Sequence, residues 1–261
     1  MITLPLALVQ LAATTDPAQN RDRLAIVEDA AGRSPGGLVV LPEATACDFG
    51  SPDTDLAASA EGLDGPFVHR LADLAAGHDV TIVAGMFEHS DDPKRPYNTL
   101  VVVDRTGLRA SYRKIHLYDS FGYRESDRLL AGGPAPVLVD VRGLRVGLMT
   151  CYDLRFPELA RELVRRGAEL LVVPAAWVAG PRKVDHWRTL VLARAIENTV
   201  YVAAAGQPAP RYTGHSMVVT PLGDVLTELG DDGDSIATAV VDTEALAAAR
   251  AENPSLVNRR L

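Results

Sequence analysis

Residues 146–157 read Val146-Gly147-Leu148-Met149-Thr150-Cys151-Tyr152-Asp153-Leu154-Arg155-Phe156-Pro157, an apolar run that passes directly into a polar turn and a proline. The apolar run predicts a buried strand, and the proline predicts the first turn of a helix, where its fixed φ fits. Leu159 and Leu163 fall on one face of that helix, and Gly167 follows where it should end. A strand followed at once by an amphipathic helix is the repeating unit of α/β proteins.

The same alternation extends over the rest of the chain. Short β-branched runs predict strands over 4–8, 38–41, 81–84, 100–103, 146–149, 170–173, 200–205, 217–220 and 236–241. Amphipathic stretches predict helices over 17–31, 66–76, 157–166, 185–197 and 243–251, and Asp16 before Pro17 should cap the first. No repeat or Pro/Gly/Ser linker divides the sequence. We therefore predict one layered α/β domain over residues 1–261.

Composition narrows the classes of function. The 261 residues include 47% hydrophobic and 23% charged side chains with a net charge of −8, which is typical of globular proteins and disfavours binding to nucleic acid. No stretch approaches the length of a membrane span, and the N-terminus lacks the basic start of a signal peptide. Only Cys47 and Cys151 are present, too few for a disulfide framework, so we expect a cytoplasmic protein. The six histidines form no metal-ligand pattern.

Three reactive side chains follow predicted strands, where functional groups of α/β sheets collect. Cys151 lies between a strand and a helix start, whose N–H groups should lower the thiol pKa. Glu43 ends the apolar run Leu38-Val39-Val40-Leu41-Pro42, so partial burial should raise its pKa towards that of a general base. Lys114 could hold a developing oxyanion. Taken singly, each also fits a plainer role: a buried small thiol, an exposed acid and a basic surface turn.

Taken together, these segments resemble the nitrilase superfamily of carbon–nitrogen hydrolases. The matching segments include 41–43 around Glu43, 112–117 around Lys114 and 147–159 around Cys151, with further similarity at 121–126, 174–177, 186–198 and 214–216. The resemblance implies that Cys151 is the nucleophile, Glu43 the general base and Lys114 the oxyanion stabiliser, with Glu125 as a supporting glutamate. It also implies an α-β-β-α sandwich that forms a homodimer or larger homo-oligomer, and a reaction without metal or organic cofactor.

The sequence after the nucleophile favours one branch of that superfamily. Cys151-Tyr152-Asp153-Leu154-Arg155 is similar to the ω-amidase and deaminated glutathione amidase branch, and nitrile hydrolysis is disfavoured because nitrilases usually have Trp-Glu after the cysteine. The expected substrate is therefore a small amide. The alternatives are an N-carbamoyl amine hydrolase of the same fold, or a binding or scaffold protein that has kept the fold.

The residues that contact the substrate are harder to predict. Tyr118, Phe121, Tyr152 and Trp177 lie near the reactive positions in sequence, so we predict that they line the pocket, although core packing would also suit them. Arg155 could bind a substrate carboxylate, but we expect it to lie under the following helix and to pair with an acid such as Glu158.

Overall fold

The computed structural model describes residues 1–260 as two β-sheets between layers of helices. The strands in chain order are β1 Thr3–Gln10, β2 Leu38–Val40, β3 Thr81–Glu88, β4 Tyr97–Asp104, β5 Gly107–Arg113, β6 Asp119–Ser120, β7 Tyr123–Arg124, β8 Leu138–Val141, β9 Leu144–Leu148, β10 Leu170–Ala175, β11 Tyr201–Gly206, β12 Met217–Val219, β13 Val225–Glu228 and β14 Ser235–Asp242. The helices are α1 Pro17–Arg23, α2 Ile26–Arg33, α3 Pro66–His78, α4 Pro157–Arg165, α5 Lys183–Asn198 and α6 Thr243–Glu252.

Each sheet has six strands with a parallel centre. Sheet one has the order β14-β1-β2-β3-β4-β5, with β1, β2 and β3 parallel and the remaining pairs antiparallel. Sheet two has the order β13-β12-β11-β10-β9-β8, with β9, β10 and β11 parallel. β6 and β7 form a small separate hairpin. Parallel strands need crossover helices, which is why α-helices cover both sheets.

The side-chain pattern of β1 explains the layering. Leu4, Leu6 and Leu8 pack with residues of sheet two, whereas Ala7 and Val9 pack with α2 and α3. Successive side chains of a strand point to opposite faces, so a strand buried on both faces must be apolar throughout. On the far side of the molecule, α4 and α5 pack on sheet two. The predicted α/β fold with four α-β-β-α layers is confirmed.

All the predicted strands and helices occur, with three kinds of correction. The predicted helix over 17–31 is two helices, because the chain tightens to i→i+3 hydrogen bonds at Leu24 and Ala25, and Leu24 and Val27 are both fully buried. Strands β5, β6, β7, β8 and β13 were not predicted. The residues that precede Lys114 therefore form an edge strand, and not the basic surface turn of its plainer interpretation. Within residues 1–260, no helix combines the length and the apolar composition that crossing a bilayer requires.

Candidate active site

The four residues predicted to act in catalysis lie around one cavity of about 580 Å³. Glu43 follows β2, Lys114 directly follows β5, and Glu125 directly follows β7. Cys151 comes from sheet two, shortly after β9. The cavity therefore lies where strand ends of the two sheets meet, which is where α/β folds place their ligands.

Lys114 lies between two glutamates in a fully buried ion cluster. Its Nζ is 2.9 Å from Glu43 Oε1, and 2.9 and 3.1 Å from the two carboxylate oxygens of Glu125. The side chains of Lys114 and Glu43 are each 1% exposed, and that of Glu125 is 2% exposed. Three short charge-assisted contacts leave this ammonium little freedom to move.

Burial and pairing compete in setting the charges of this cluster. Burial acts to lower the pKa of Lys114, but the carboxylates of Glu125 and Glu43 outweigh it and raise that pKa well above its usual range. Burial also raises the pKa of Glu125, against the opposing effect of the Lys114 ammonium. Lys114 is therefore a cation at physiological pH, which its predicted role as oxyanion stabiliser requires.

Glu43 is held by donors from both sheets. Its Oε1 accepts a hydrogen bond from the Asn98 side-chain amide at 2.7 Å, and its Oε2 accepts one from the backbone N–H of Ala176 at 2.7 Å. Gln207 fixes its backbone oxygen at 2.9 Å. Sequence reasoning missed Asn98, whose amide also reaches Glu125 at 3.3 Å. The signal was a polar residue beside the apolar stretch of β4.

Cys151 occupies a strained turn at the cavity wall. It begins a 3₁₀ turn, Cys151–Arg155, with α4 following at Pro157, and its φ is +45°, a region that residues other than glycine rarely adopt. Its side chain is buried, with 7% of the residue exposed.

The predicted direction of the Cys151 pKa is wrong. Burial raises this pKa well above its usual range, and the neighbouring Glu43 carboxylate adds to the rise, while the Lys114 ammonium lowers it. Burial and a negative neighbour thus outweigh the N–H groups of a short 3₁₀ turn. The raised pKa favours the protonated thiol at neutral pH.

Aromatic rings form much of the cavity wall. Tyr118, Phe121, Tyr152 and Trp177 all line it. The rings of Tyr118 and Tyr152 meet edge to face at a centroid distance of 5.0 Å, and Phe121 is 67% exposed at the tip of the β6–β7 hairpin. Their position on the wall agrees with the prediction, and their contact with a substrate stays a prediction.

Two cations near these rings have no acidic partner in residues 1–260. Lys183 is 9% exposed, donates to the Tyr118 hydroxyl at 3.0 Å and lies 4.0 Å from the centre of the Phe121 ring. The predicted pairing of Arg155 with an acid such as Glu158 is wrong: its guanidinium contacts His186 Nδ1 at 3.3 Å and lies 5.0 Å from the Trp177 ring. Lys183 lines the cavity and was not predicted from the sequence.

The remaining candidates contribute nothing to this cavity. Cys47 is fully buried in a separate apolar cluster. In the part of the chain that the structure describes, no group of three His, Cys, Asp or Glu side chains is arranged to hold a metal ion.

Comparison with known proteins supplies independent information. The family described as carbon-nitrogen hydrolase matches residues 5–251. The deaminated glutathione amidase of Escherichia coli O157:H7 is 40% identical over 252 residues, covering 96% of this chain and 95% of that protein. A CN-hydrolase superfamily protein from Xanthomonas campestris, solved with an arsenic adduct in its active site, is similar with a TM-score of 0.88 at 31% identity, covering 100% of this chain and 98% of that one.

A third similarity concerns the cysteine. A mutant of the amidase from Nesterenkonia sp. AN1, solved after Michael addition of acrylamide at its active site cysteine, gives a TM-score of 0.79 at 27% identity and covers 95% of this chain and 97% of that one. The resemblance of the sequence motifs is thus confirmed over nearly the whole chain. Because the family match spans residues 5–251, the chain belongs to the carbon–nitrogen hydrolases of the nitrilase superfamily and is a hydrolase.

Proposed function

We propose that this hydrolase cleaves the C–N bond of a small amide to a carboxylate and ammonia through a thioester on Cys151. The observation that carries the proposal is the meeting of a thiol, a carboxylate and a paired ammonium in one cavity large enough for a small molecule. Acyl transfer to a thiol needs these three elements: a nucleophile, a base and a fixed positive charge for the oxyanion.

In the first half of the proposed reaction, Glu43 takes the thiol proton and the sulfur attacks the amide carbonyl carbon. The oxyanion lies between the Lys114 ammonium and, we expect, the backbone N–H of Tyr152. A single donor of this kind typically contributes about 3–4 kcal/mol. The tetrahedral intermediate then expels ammonia, which takes the proton from Glu43 as the thioester forms.

The second half releases the acid. Water attacks the thioester carbonyl while Glu43 accepts its proton, and the same two donors stabilise the second oxyanion. Collapse breaks the C–S bond, and the sulfur recovers a proton from Glu43 as the carboxylic acid leaves. Every proton that moves is held at some stage by Glu43, so the scheme requires no metal or organic cofactor.

The charges that line the cavity also favour one kind of amide substrate. Lys183 places a buried positive charge among aromatic rings, with no carboxylate of residues 1–260 within ion-pair distance. An ammonium so placed is stabilised by an anion that enters with the ligand. An amide whose acyl part carries a carboxylate would supply that anion, and the name of the Escherichia coli relative, deaminated glutathione amidase, supports an amide as the reacting group.

The experiment that tests the proposal is ammonia release across a panel of monoamides of dicarboxylic acids, uncharged aliphatic amides, N-carbamoyl amino acids and nitriles. We expect turnover of the monoamides, weaker turnover of the uncharged amides, and none with Cys151→Ala, whose circular dichroism should match the wild type. Ammonia together with carbon dioxide from the carbamoyl compounds would instead identify an N-carbamoyl hydrolase. Near-normal turnover by Cys151→Ala would refute the proposal. Self-association and a cytoplasmic location stay predictions.

A further inference from the structure

Asp153 is a buried carboxylate that the proposed reaction does not use. It lies two residues after Cys151 in the same 3₁₀ turn and is 0% exposed. A fully buried carboxylate costs free energy unless hydrogen bonds satisfy both of its oxygens. The positions of its partners therefore indicate what the residue does.

Those partners belong to two different parts of the fold. On the side of sheet two, Asp153 Oδ2 accepts a hydrogen bond from the backbone N–H of Thr150 at 2.9 Å. On the side of sheet one, Oδ2 also accepts the Tyr112 hydroxyl at 2.7 Å, and Oδ1 accepts the backbone N–H of His116 at 3.1 Å. His116 Nδ1 lies 2.7 Å from the same Oδ1, within hydrogen-bonding distance.

The two sheet-one partners flank Lys114 in sequence. Within residues 1–260, every hydrogen bond from residues 112–116 to the turn that carries Cys151 ends on Asp153. The direct hydrogen bonds of Lys114 run to sheet one and its loops, through the backbone of Asn98 and Gly132 and the two glutamates. Its one further link to sheet two is indirect, through Glu43, which accepts the Ala176 N–H. The ring of His116 also stacks on Phe156 at 3.7 Å, which adds an apolar contact to the same junction.

We propose that Asp153 is a positioning residue, which fixes the Lys114 ammonium relative to the Cys151 sulfur by holding both segments on one buried carboxylate. The nucleophile comes from sheet two, and the base and ammonium from sheet one, so their separation depends on the contacts between the sheets. Apolar packing between sheets is non-directional, whereas hydrogen bonds to a charged oxygen are directional and short. A displacement of about 1 Å at a reacting centre can cost roughly 100-fold in rate.

The expected effect of Asp153 on turnover rests on the proposed function. Its expected effect on the reactivity of the Cys151 thiol does not. Lys114 favours the thiolate form of Cys151. If Asp153 holds Lys114 in place, loosening it should slow alkylation of Cys151 as well as catalysis. Alkylation can be measured even on a protein that turns over none of the amides tested, so failure of this inference and failure of the proposed function give different results.

Tyr112→Phe is the decisive variant. It removes one hydroxyl that donates to Asp153, keeps the buried ring and leaves the charge of the protein unchanged. Tyr201→Phe is the matched control, since Tyr201 is also buried, at 3% exposed, and lies outside the cavity. Asp153→Asn is a stronger perturbation. It replaces one carboxylate oxygen, which accepts hydrogen bonds, with an NH₂ group that would face the donors now bonded to Asp153. Each kcat is expressed per active site, titrated with iodoacetamide at saturation.

We expect Tyr112→Phe to lower kcat by about 10-fold and Asp153→Asn by about 100-fold, with KM changed less than about 3-fold. The pH profile of Cys151 alkylation should move to higher pH in Tyr112→Phe, and Tyr201→Phe should match the wild type in both respects. A Tyr112→Phe protein with kcat and alkylation profile within about 2-fold of the wild type would overturn the inference. The inference would also be overturned if the loss of activity equalled the fraction of protein that is unfolded. In that case each folded molecule would be as active as the wild type, and Asp153 would have a merely structural role.

Discussion

Replacing Lys114 with methionine tests the ion cluster most directly. Its Nζ makes contacts of 2.9, 2.9 and 3.1 Å with Glu43 and Glu125. Without it, two buried carboxylates face each other, and the Asn98 amide is the group of residues 1–260 that still contacts both. Removing one partner of a buried ion pair costs about 3–5 kcal/mol of unfolding free energy, because the remaining charge is uncompensated. We expect a penalty of that size for Lys114→Met at pH 8.

The penalty should depend on pH in a defined direction. Burial already raises the pKa of Glu125, and the loss of the Lys114 ammonium removes the interaction that opposes this rise. A carboxyl whose folded pKa exceeds its unfolded pKa of about 4.3 stabilises the folded state below the unfolded value, and that stability is lost as pH rises through the folded pKa. The penalty should therefore be smaller at pH 5.5 than at pH 8.

The assay is urea unfolding followed by circular dichroism at both pH values and at one protein concentration. Lys183→Met is the matched control, because Lys183 is also buried but contacts no carboxylate in residues 1–260. It should unfold within about 1 kcal/mol of the wild type at both pH values. The reasoning would be refuted by a Lys114→Met penalty under about 1 kcal/mol at pH 8, by one that does not change with pH, or by an equal penalty for Lys183→Met.

Three further predictions concern the thiol and its base. Cys151→Ser should fold normally yet lose at least about 1,000-fold in kcat, because a hydroxyl is far harder to ionise than a thiol; a loss of only tenfold in ammonia release would contradict this. Alkylation of wild-type Cys151 by iodoacetamide should quicken with rising pH without a plateau below about pH 9, since burial raises the thiol pKa, while Cys47 stays unlabelled in mass spectra of the folded protein. Glu43→Gln should turn over at least about 100-fold more slowly but be alkylated faster at pH 7, because the lost carboxylate charge had raised the thiol pKa; slower alkylation would show that Glu43 does not act on the resting thiol in this way.

The strands that the sequence predicted well are those buried on both faces. β2 and β10 are apolar at every position because neither face meets water, so their composition alone marks them. β5 was missed for the opposite reason. It is an edge strand with Arg109 and Ser111 among its residues, and it joins the sheet by backbone hydrogen bonds to β4 that require no apolar side chain.

The site residues also differ in how well the local sequence could predict them. Glu43 and Cys151 follow recognisable apolar strands, so their positions could be predicted from the local sequence. Asn98 and Asp153 act through contacts with residues 55 and 41 positions away, and no local pattern encodes such a distance. The pKa of Cys151 was predicted in the wrong direction because its local sequence shows the helix start that follows, but not how completely the surrounding chain buries the thiol.

A raised thiol pKa is compatible with cysteine catalysis once the charge of the whole cluster is counted. With a protonated thiol, the buried site holds the anions of Glu43 and Glu125 and the cation of Lys114. Transfer of the thiol proton to Glu43 creates a thiolate and removes a carboxylate, so the net charge of the site does not change. The transfer requires no new charge to be buried, which is the costly step in a water-poor site. In the proposed reaction, the Lys114 ammonium lies beside the carbonyl oxygen that becomes negative. A protonated resting thiol and a reactive site then follow from the same arrangement of charges.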